Sequence, residues 1–231
     1  MAVSFIGSTT AEATSVTLPT HQVGDLILIF ALRLASGATV TPVSGWVTAG
    51  NIAFAGNTAN LSSWFKIAEN SSETSGTITN ADLLLATVYR ESSGNLLYAP
   101  FRNANRNAST TAINYPQKAS YLAASGIQAI DRMASSQSIV LGIAATTSIT
   151  EDLSTPPSGM VNREQIIGST SGQIVLHDTD GDVSSWSSTN YTASNAIEYA
   201  SMVIDLPSLA IPASGGGGGV RQVNIRGGAD Q

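Results

Sequence analysis

The ten residues Asp25–Leu34, DLILIFALRL, constrain this chain more than any other stretch, because every side chain from Leu26 to Leu32 is apolar. In an extended backbone Leu26, Leu28, Phe30, Leu32 and Leu34 share one face, and Ile27, Ile29 and Ala31 share the other. A strand that is apolar on both faces has to be covered on both, so it belongs at the centre of a layered or closed β structure. A buried helix of the same length is the competing reading. Gly24-Asp25 before the run and Ser36-Gly37 after it punctuate like turns and favour the strand. The run is too short for a membrane-spanning helix, which needs about 20 residues.

The rest of the chain repeats this rhythm more weakly. Strands are expected at AVSFIGS near the N-terminus, Thr14–Pro19, Val47–Phe54, Asn60–Ala68, the GTITN segment and Leu83–Arg90. Further strands are expected at Ile127–Asp131, Ser138–Thr146, Glu164–Ile167, Gln173–His177 and Ala196–Leu206. Glu91–Lys118 reads as irregular, and Ala119–Ala134 is open to a short helix, which Gly126 weakens. Short strands separated by Gly, Ser, Asn and Pro predict an all-β protein, a β-sandwich of jelly-roll-like type. No repeat of about 20–50 residues is apparent, which argues against a propeller or solenoid.

After Pro207 the composition changes. Residues 1–207 form the predicted sandwich domain, and 208–231 form a glycine-rich linker and arm with five consecutive glycines, Gly215–Gly219. Pentaglycine predicts a flexible hinge. The VRQVNIR segment beyond it has strand character, with Arg221, Val223 and Ile225 on one face and Arg226 following. The body carries fifteen acidic and eight basic residues, whereas the arm carries one and two, so arm and body are of opposite charge. Between Glu151 and Asp205 eight acids face a single basic residue, Arg163. The arm is therefore expected to contact an acidic surface on a neighbouring subunit, with Arg221, Val223, Ile225 and Arg226 as contact residues, and the chain to form homo-oligomers.

Composition removes several functions. The net charge of −6 argues against nucleic acid as a partner, since phosphate binding requires clustered Lys and Arg. There is no cysteine, hence no disulfide, thiol nucleophile or thiolate metal site. The N-terminus shows no signal-peptide pattern, and no membrane partner is expected. The sequons at Asn60, Asn70, Asn107 and Asn190 are expected by chance in so hydroxyl-rich a chain.

Chemistry-bearing clusters are few. His21 and His177 are the only histidines, and no G-x-S-x-G elbow accompanies them, so catalytic residues are not predicted and the chain does not read as an enzyme. HDTDGDVSSW alternates Asp178, Asp180 and Asp182, an oxygen-rich spacing that can hold calcium, although the same residues make an ordinary turn between strands. No cofactor is expected, calcium at those aspartates being the one candidate. Trp46, Trp64 and Trp186 are candidates for a sugar-binding platform, against which stands ordinary core packing.

Several stretches, taken in order, resemble a family of tailed-bacteriophage virion structural proteins of minor-tail or capsid-decoration type. They are FIGSTTAEATSVTLPTHQVGDLILIFA, PVSGW, LSSWFKIAENSSETSGTITNADLLLATVYR, TPPSGMVNR and HDTDGDVSSWSSTN, and they span most of Val3 to Leu206. Asp182 departs from the pattern, standing where a glycine of a DTNGG-like turn is expected. The resemblance implies a structural role in a virion, with other virion proteins as partners and no active site. The alternative is a carbohydrate-binding module used in attachment to a host surface.

Overall fold

A computed structural model of the protein describes residues 3–35, 40–91, 101–115, 138–184, 186 and 189–207. The strand expected at Ile127–Asp131 and the arm beyond Pro207 lie outside these residues. Among the described residues the chain forms thirteen strands and no α-helix: β1 (Val3–Ala11), β2 (Ser15–Thr17), β3 (Leu26–Arg33), β4 (Thr41–Pro42), β5 (Val47–Phe54), β6 (Ala59–Ile67), β7 (Ser75–Thr79), β8 (Leu83–Glu91), β9 (Phe101–Tyr115), β10 (Ser138–Thr146), β11 (Val161–Ile167), β12 (Gln173–Asp178) and β13 (Thr189–Pro207). They build a β-sandwich of two five-stranded antiparallel sheets, ordered β1-β8-β3-β6-β5 and β11-β12-β10-β13-β9. A small third sheet, β2-β7-β4, covers one outer face.

The doubly apolar run is central, as its pattern demands. β3 is the middle strand of the first sheet, and its two faces enter two different cores. Leu26, Leu28, Phe30 and Leu32 point between the sheets, where they meet Leu83, Leu85, Leu141, Met202 and Ile204. Ile27, Ile29 and Ala31 point outward against Val16, Leu18 and Ile78 of the small sheet's side. The second sheet is arranged alike. Its central strand β10 sends Leu141 and Ile143 inward, and Val140 and Ala144 outward to a third cluster with Tyr115, Leu153, Met160 and Tyr199.

The sheets are wired by halves of the chain rather than in the interleaved order of a jelly roll: β1 to β8 supply the first, β9 to β13 the second. Both halves follow one plan. In chain order, the first strand of each sheet lies at an edge, the second at the centre and the third at the other edge. The fourth fits between centre and third, and the fifth between centre and first. The third strand of each half is introduced by the same motif, Thr41-Pro42-Val43-Ser44-Gly45-Trp46-Val47 in one and Thr155-Pro156-Pro157-Ser158-Gly159-Met160-Val161 in the other. Gly45 and Gly159 both sit at positive φ, +97° and +82°, in the turn this motif makes. Trp46 and Met160 then each plug the outer core of their own half. The chain is thus two versions of one five-stranded unit packed face to face.

The packing direction follows from the edges. β1 lies over β11 and β5 over β9, so the first edge of each half faces the third edge of the other. Gly172, beside Thr147 at the far end of β10, lies against Leu32 and Leu34 at the far end of β3. The central strands therefore run in the same direction, and the approximate two-fold axis runs along the strands.

Two segments were misjudged from sequence. Glu91–Lys118 contains β9, whose sequence FRNANRNASTTAINY lacks apolar alternation because it is an edge strand defined by its ladder with β13. β13 begins at Thr189, well before Ala196, because a bulge between Thr192 and Ile197 interrupts its pairing with β9. Phe30 is fully buried in the inter-sheet core, so Phe30→Ala is expected to cost about 3–5 kcal/mol, read from the shift of the urea unfolding midpoint.

Candidate functional site

The three aspartates singled out in the sequence do not gather around a cation site. Asp178 is the last residue of β12 and is completely buried between the sheets. Its Oδ2 accepts hydrogen bonds from the Tyr89 hydroxyl at 2.8 Å and from Arg163 Nε at 2.8 Å. Its Oδ1 accepts from the backbone N–H of Asp180 at 2.8 Å, and Asp180 Oδ1 accepts from Arg163 Nη2 at 2.5 Å. Among the described residues no group of three or more His, Asp or Glu side chains could hold a metal ion. The positive charge that this acidic turn calls for is the guanidinium of Arg163.

This cluster joins the two sheets. Tyr89 belongs to β8 of the first sheet, whereas Asp178 and Arg163 belong to β12 and β11 of the second. Phe5 of β1 packs edge-on against Tyr89 with ring centroids 5.7 Å apart, and the Arg163 guanidinium stacks 4.7 Å from the Phe5 centroid. Burial pushes the Tyr89 phenol well above its ordinary pKa, reinforced by the charge and hydrogen bond of Asp178. Burial opposes the charge on Arg163, but its bonds to Asp178 and Asp180 outweigh that and hold its pKa above the arginine range.

The tryptophans do not form a platform. Trp64 is 3% exposed in the outer core of the first sheet, and Trp46 packs partly buried against the same cluster with Lys66 Nζ 5.0 Å from its ring centroid. Trp186 packs on the third cluster, on the other side of the molecule. No coplanar exposed pair of these rings exists, so the sugar-platform expectation gives way to core packing.

The histidines are structural in their contacts. His21 Nδ1 bonds the Pro19 carbonyl oxygen at 2.8 Å within a turn. His177, buried on the outer face of the second sheet, has Nδ1 3.1 Å from the Tyr115 hydroxyl, the rings meeting edge-on at 6.0 Å. Burial lowers the His177 pKa to about 4, partly opposed by backbone hydrogen bonds with Leu153 and Ser154.

An open cleft of about 430 Å³ lies where the chain leaves β10 and where β13 bulges. Its walls are the loop through Ser148, Thr150 and Glu151 and the segment Asn195–Glu198. Glu151, 2% exposed, pins the bulge: Oε1 accepts from Asn195 Nδ2 at 2.6 Å and Oε2 from the Asn195 backbone N–H at 3.1 Å. Glu198 adds a second carboxylate, and no Lys, Arg or His is among the described lining residues. Sequence reasoning missed both this cleft and the partners of Asp178. The one signal available was Arg163 standing alone among eight acids. The predicted contact residues Arg221, Val223, Ile225 and Arg226 lie outside the described residues.

No family model, no curated protein and no solved structure matches this chain.

Two outcomes follow from the buried groups. Arg163→Gln leaves the Asp178 carboxylate buried without its cation and is expected to destabilise the fold by about 3–5 kcal/mol in urea titrations. His177 takes up its proton more readily unfolded than folded, so its stability contribution is complete above about pH 6.5 and is lost as pH falls towards 4. Unfolding titrations in that window should show stability falling by about 1.4 kcal/mol per pH unit from this group, a slope that His177→Phe removes.

Proposed function

We propose that this chain is a structural component of a tailed-phage particle, assembling non-covalently on the capsid or tail through contacts between its copies and with other virion proteins. It works as a shaped body carrying an assembly arm rather than as an enzyme. The resemblance of Val3–Leu206 to phage structural proteins supports this reading.

The observation that carries it is where the arm begins. β13 is an inner strand of the second sheet, flanked from Tyr199 to Pro207 by β10 and by β9, and it ends at Pro207, just before the arm. Pro207, to which the arm is joined, thus lies at one end of an inner strand rather than on a sheet edge. Among the described residues each sheet has the five strands of the shared plan, and each outer face carries its own apolar cluster. Arg221 and Arg226 give the arm the charge opposite to the body's, and Val223 and Ile225 give it a face able to pair or pack.

Deleting Ser214–Gln231 is expected to leave the thermal unfolding of the body unchanged while weakening incorporation into particles. Reversing the charge of Arg221 and Arg226 should do the same more mildly, with the larger effect at low ionic strength. Incorporation of the truncated chain at the level of the full chain would sink the proposal.

A further inference from the structure

We propose that copies of this chain stack end to end through two small apolar patches, each copy turned about half a revolution from the one before. The contact belongs to the body itself and is independent of the arm.

The placement of exposed apolar side chains points to the two ends. Among the described residues five large ones are exposed: Val23, Val43, Val47, Ile149 and Ile167. Val47 opens β5 and pairs with Phe65, which also pairs with Leu28 near the start of β3. Val43 stands in the turn just before it, and Val23 precedes Gly24, whose N–H bonds the Ala68 carbonyl at 2.9 Å just past the end of β6. Ile167 closes β11 and pairs with Gln173, which also pairs with Thr146 at the end of β10. The Gln173 side-chain amide donates to the Ser148 carbonyl at 2.9 Å, which sets Ile149 beside the same residue. Since β3 and β10 run in the same direction, the valines lie at one end of the body and the isoleucines at the other. Apolar residues scattered singly over a surface are ordinary; these are gathered at opposite ends.

The two-fold relation between the halves shows that both patches depart from it. The third strand of each half bulges at the same place, after Thr48 and after Asn162, so Val47–Phe54 corresponds to residues 161–168. In the second half the turn before that strand is covered: Pro157 is buried, and the Trp186 ring lies 3.6 Å from where a Cβ on Gly159 would stand. In the first half Val43, the counterpart of Pro157, is 50% exposed, and no described atom comes within 4 Å of that position at Gly45. At the other end the order reverses. Ile167 is 49% exposed, whereas its counterpart in the first half is the small Ala53. The first half is bare where the second is covered, and the second presents isoleucine where the first has alanine.

This arrangement fixes how two copies meet. The valine patch lies on the first sheet's side, the isoleucine patch on the second sheet's side. A copy shifted straight along the strands would set first sheet over first sheet and keep the patches apart. A half-turn about the two-fold axis during that shift brings valines onto isoleucines. The operation repeats without closing on itself, so it builds a directional stack. Five partly exposed side chains bury far less than the roughly 1,200–2,000 Å² of a freestanding interface, so the contact is weak between free chains and acts among copies already crowded together.

The chain has no cysteine, so introduced thiols report contacts without background. Full-length Val47→Cys and Ile167→Cys, each at about millimolar concentration to match a weak contact, are treated separately and mixed with a short flexible bis-maleimide. Links between the two variants should exceed those within either alone by at least about tenfold. Val43→Asp added to the first variant, or Ile149→Asp added to the second, should remove most of that excess. Raising the salt should increase the yield, because fifteen acids against eight bases make the bodies repel one another and salt screens that repulsion. Adding Arg221→Glu with Arg226→Glu should leave the yield at high salt unchanged. Mixtures that link no better than the separate variants overturn the stack, and so do links within Val47→Cys alone that match the mixture, since like ends then meet. Links that weaken with salt and vanish in the arm variant belong to the arm, which overturns the end contact and leaves the arm reading standing.

Discussion

The structure depends on one buried carboxylate, Asp178, and on the side chains from both sheets that close around it. The two sheets share no strand, so nothing in the backbone ladder fixes how one lies on the other. The side chains between them are almost wholly apolar, and apolar contact is not directional. Burying one such side chain is worth about 1.5–3 kcal/mol wherever it finds a cavity of the right size, which holds the sheets together without setting their alignment. The bonds from Tyr89 and Arg163 to Asp178 do set it. Sliding β8 along β12 by one residue would strand a charge in the core, at a cost of about 3–5 kcal/mol.

That alignment serves a pseudo-symmetric body. Two halves with the same strand plan meet face to face much as two subunits of an isologous dimer do, first edge over third edge on both sides. Each half also finishes its own outer face. The small sheet and Trp46 cover the first, while Tyr115, Leu153 and Met160 cover the second. A central strand such as β3 can be apolar on both faces because this arrangement gives it a core on each side.

What the sequence revealed follows the same division. The sandwich class, the central place of Leu26–Leu32 and the strand at Ser138–Thr146 were legible because burial on both faces writes a continuous apolar run. β9 was not legible: at a sheet edge its identity comes from pairing with β13, and its composition is polar. The shared plan of the two halves was hidden because inner faces accept any apolar residue of suitable size, leaving the TP-x-SG-x-V turn as shared text, where positive φ demands glycine. The aspartate triad was noticed as an oxygen cluster or an ordinary turn, and neither reading named the partners of Asp178. Tyr89 lies far away in sequence, and nothing local in HDTDGD shows that an arginine on the neighbouring strand will turn back onto it.

The direction of the two-fold has a consequence for assembly. An axis across the strands would make the two ends of the sandwich alike, and like ends join into closed pairs. Here the axis runs along the strands, so it exchanges the sheets but never the ends: Pro207 stays at one, Thr146 and the cleft at the other. The remaining asymmetry lies within each end. One half carries Arg33 on Asp82 where the other has Thr146 beside a cleft lined by Glu151 and Glu198. A contact between unlike ends does not satisfy itself in a pair. Any contact that joins one end of this body to the other is therefore directional.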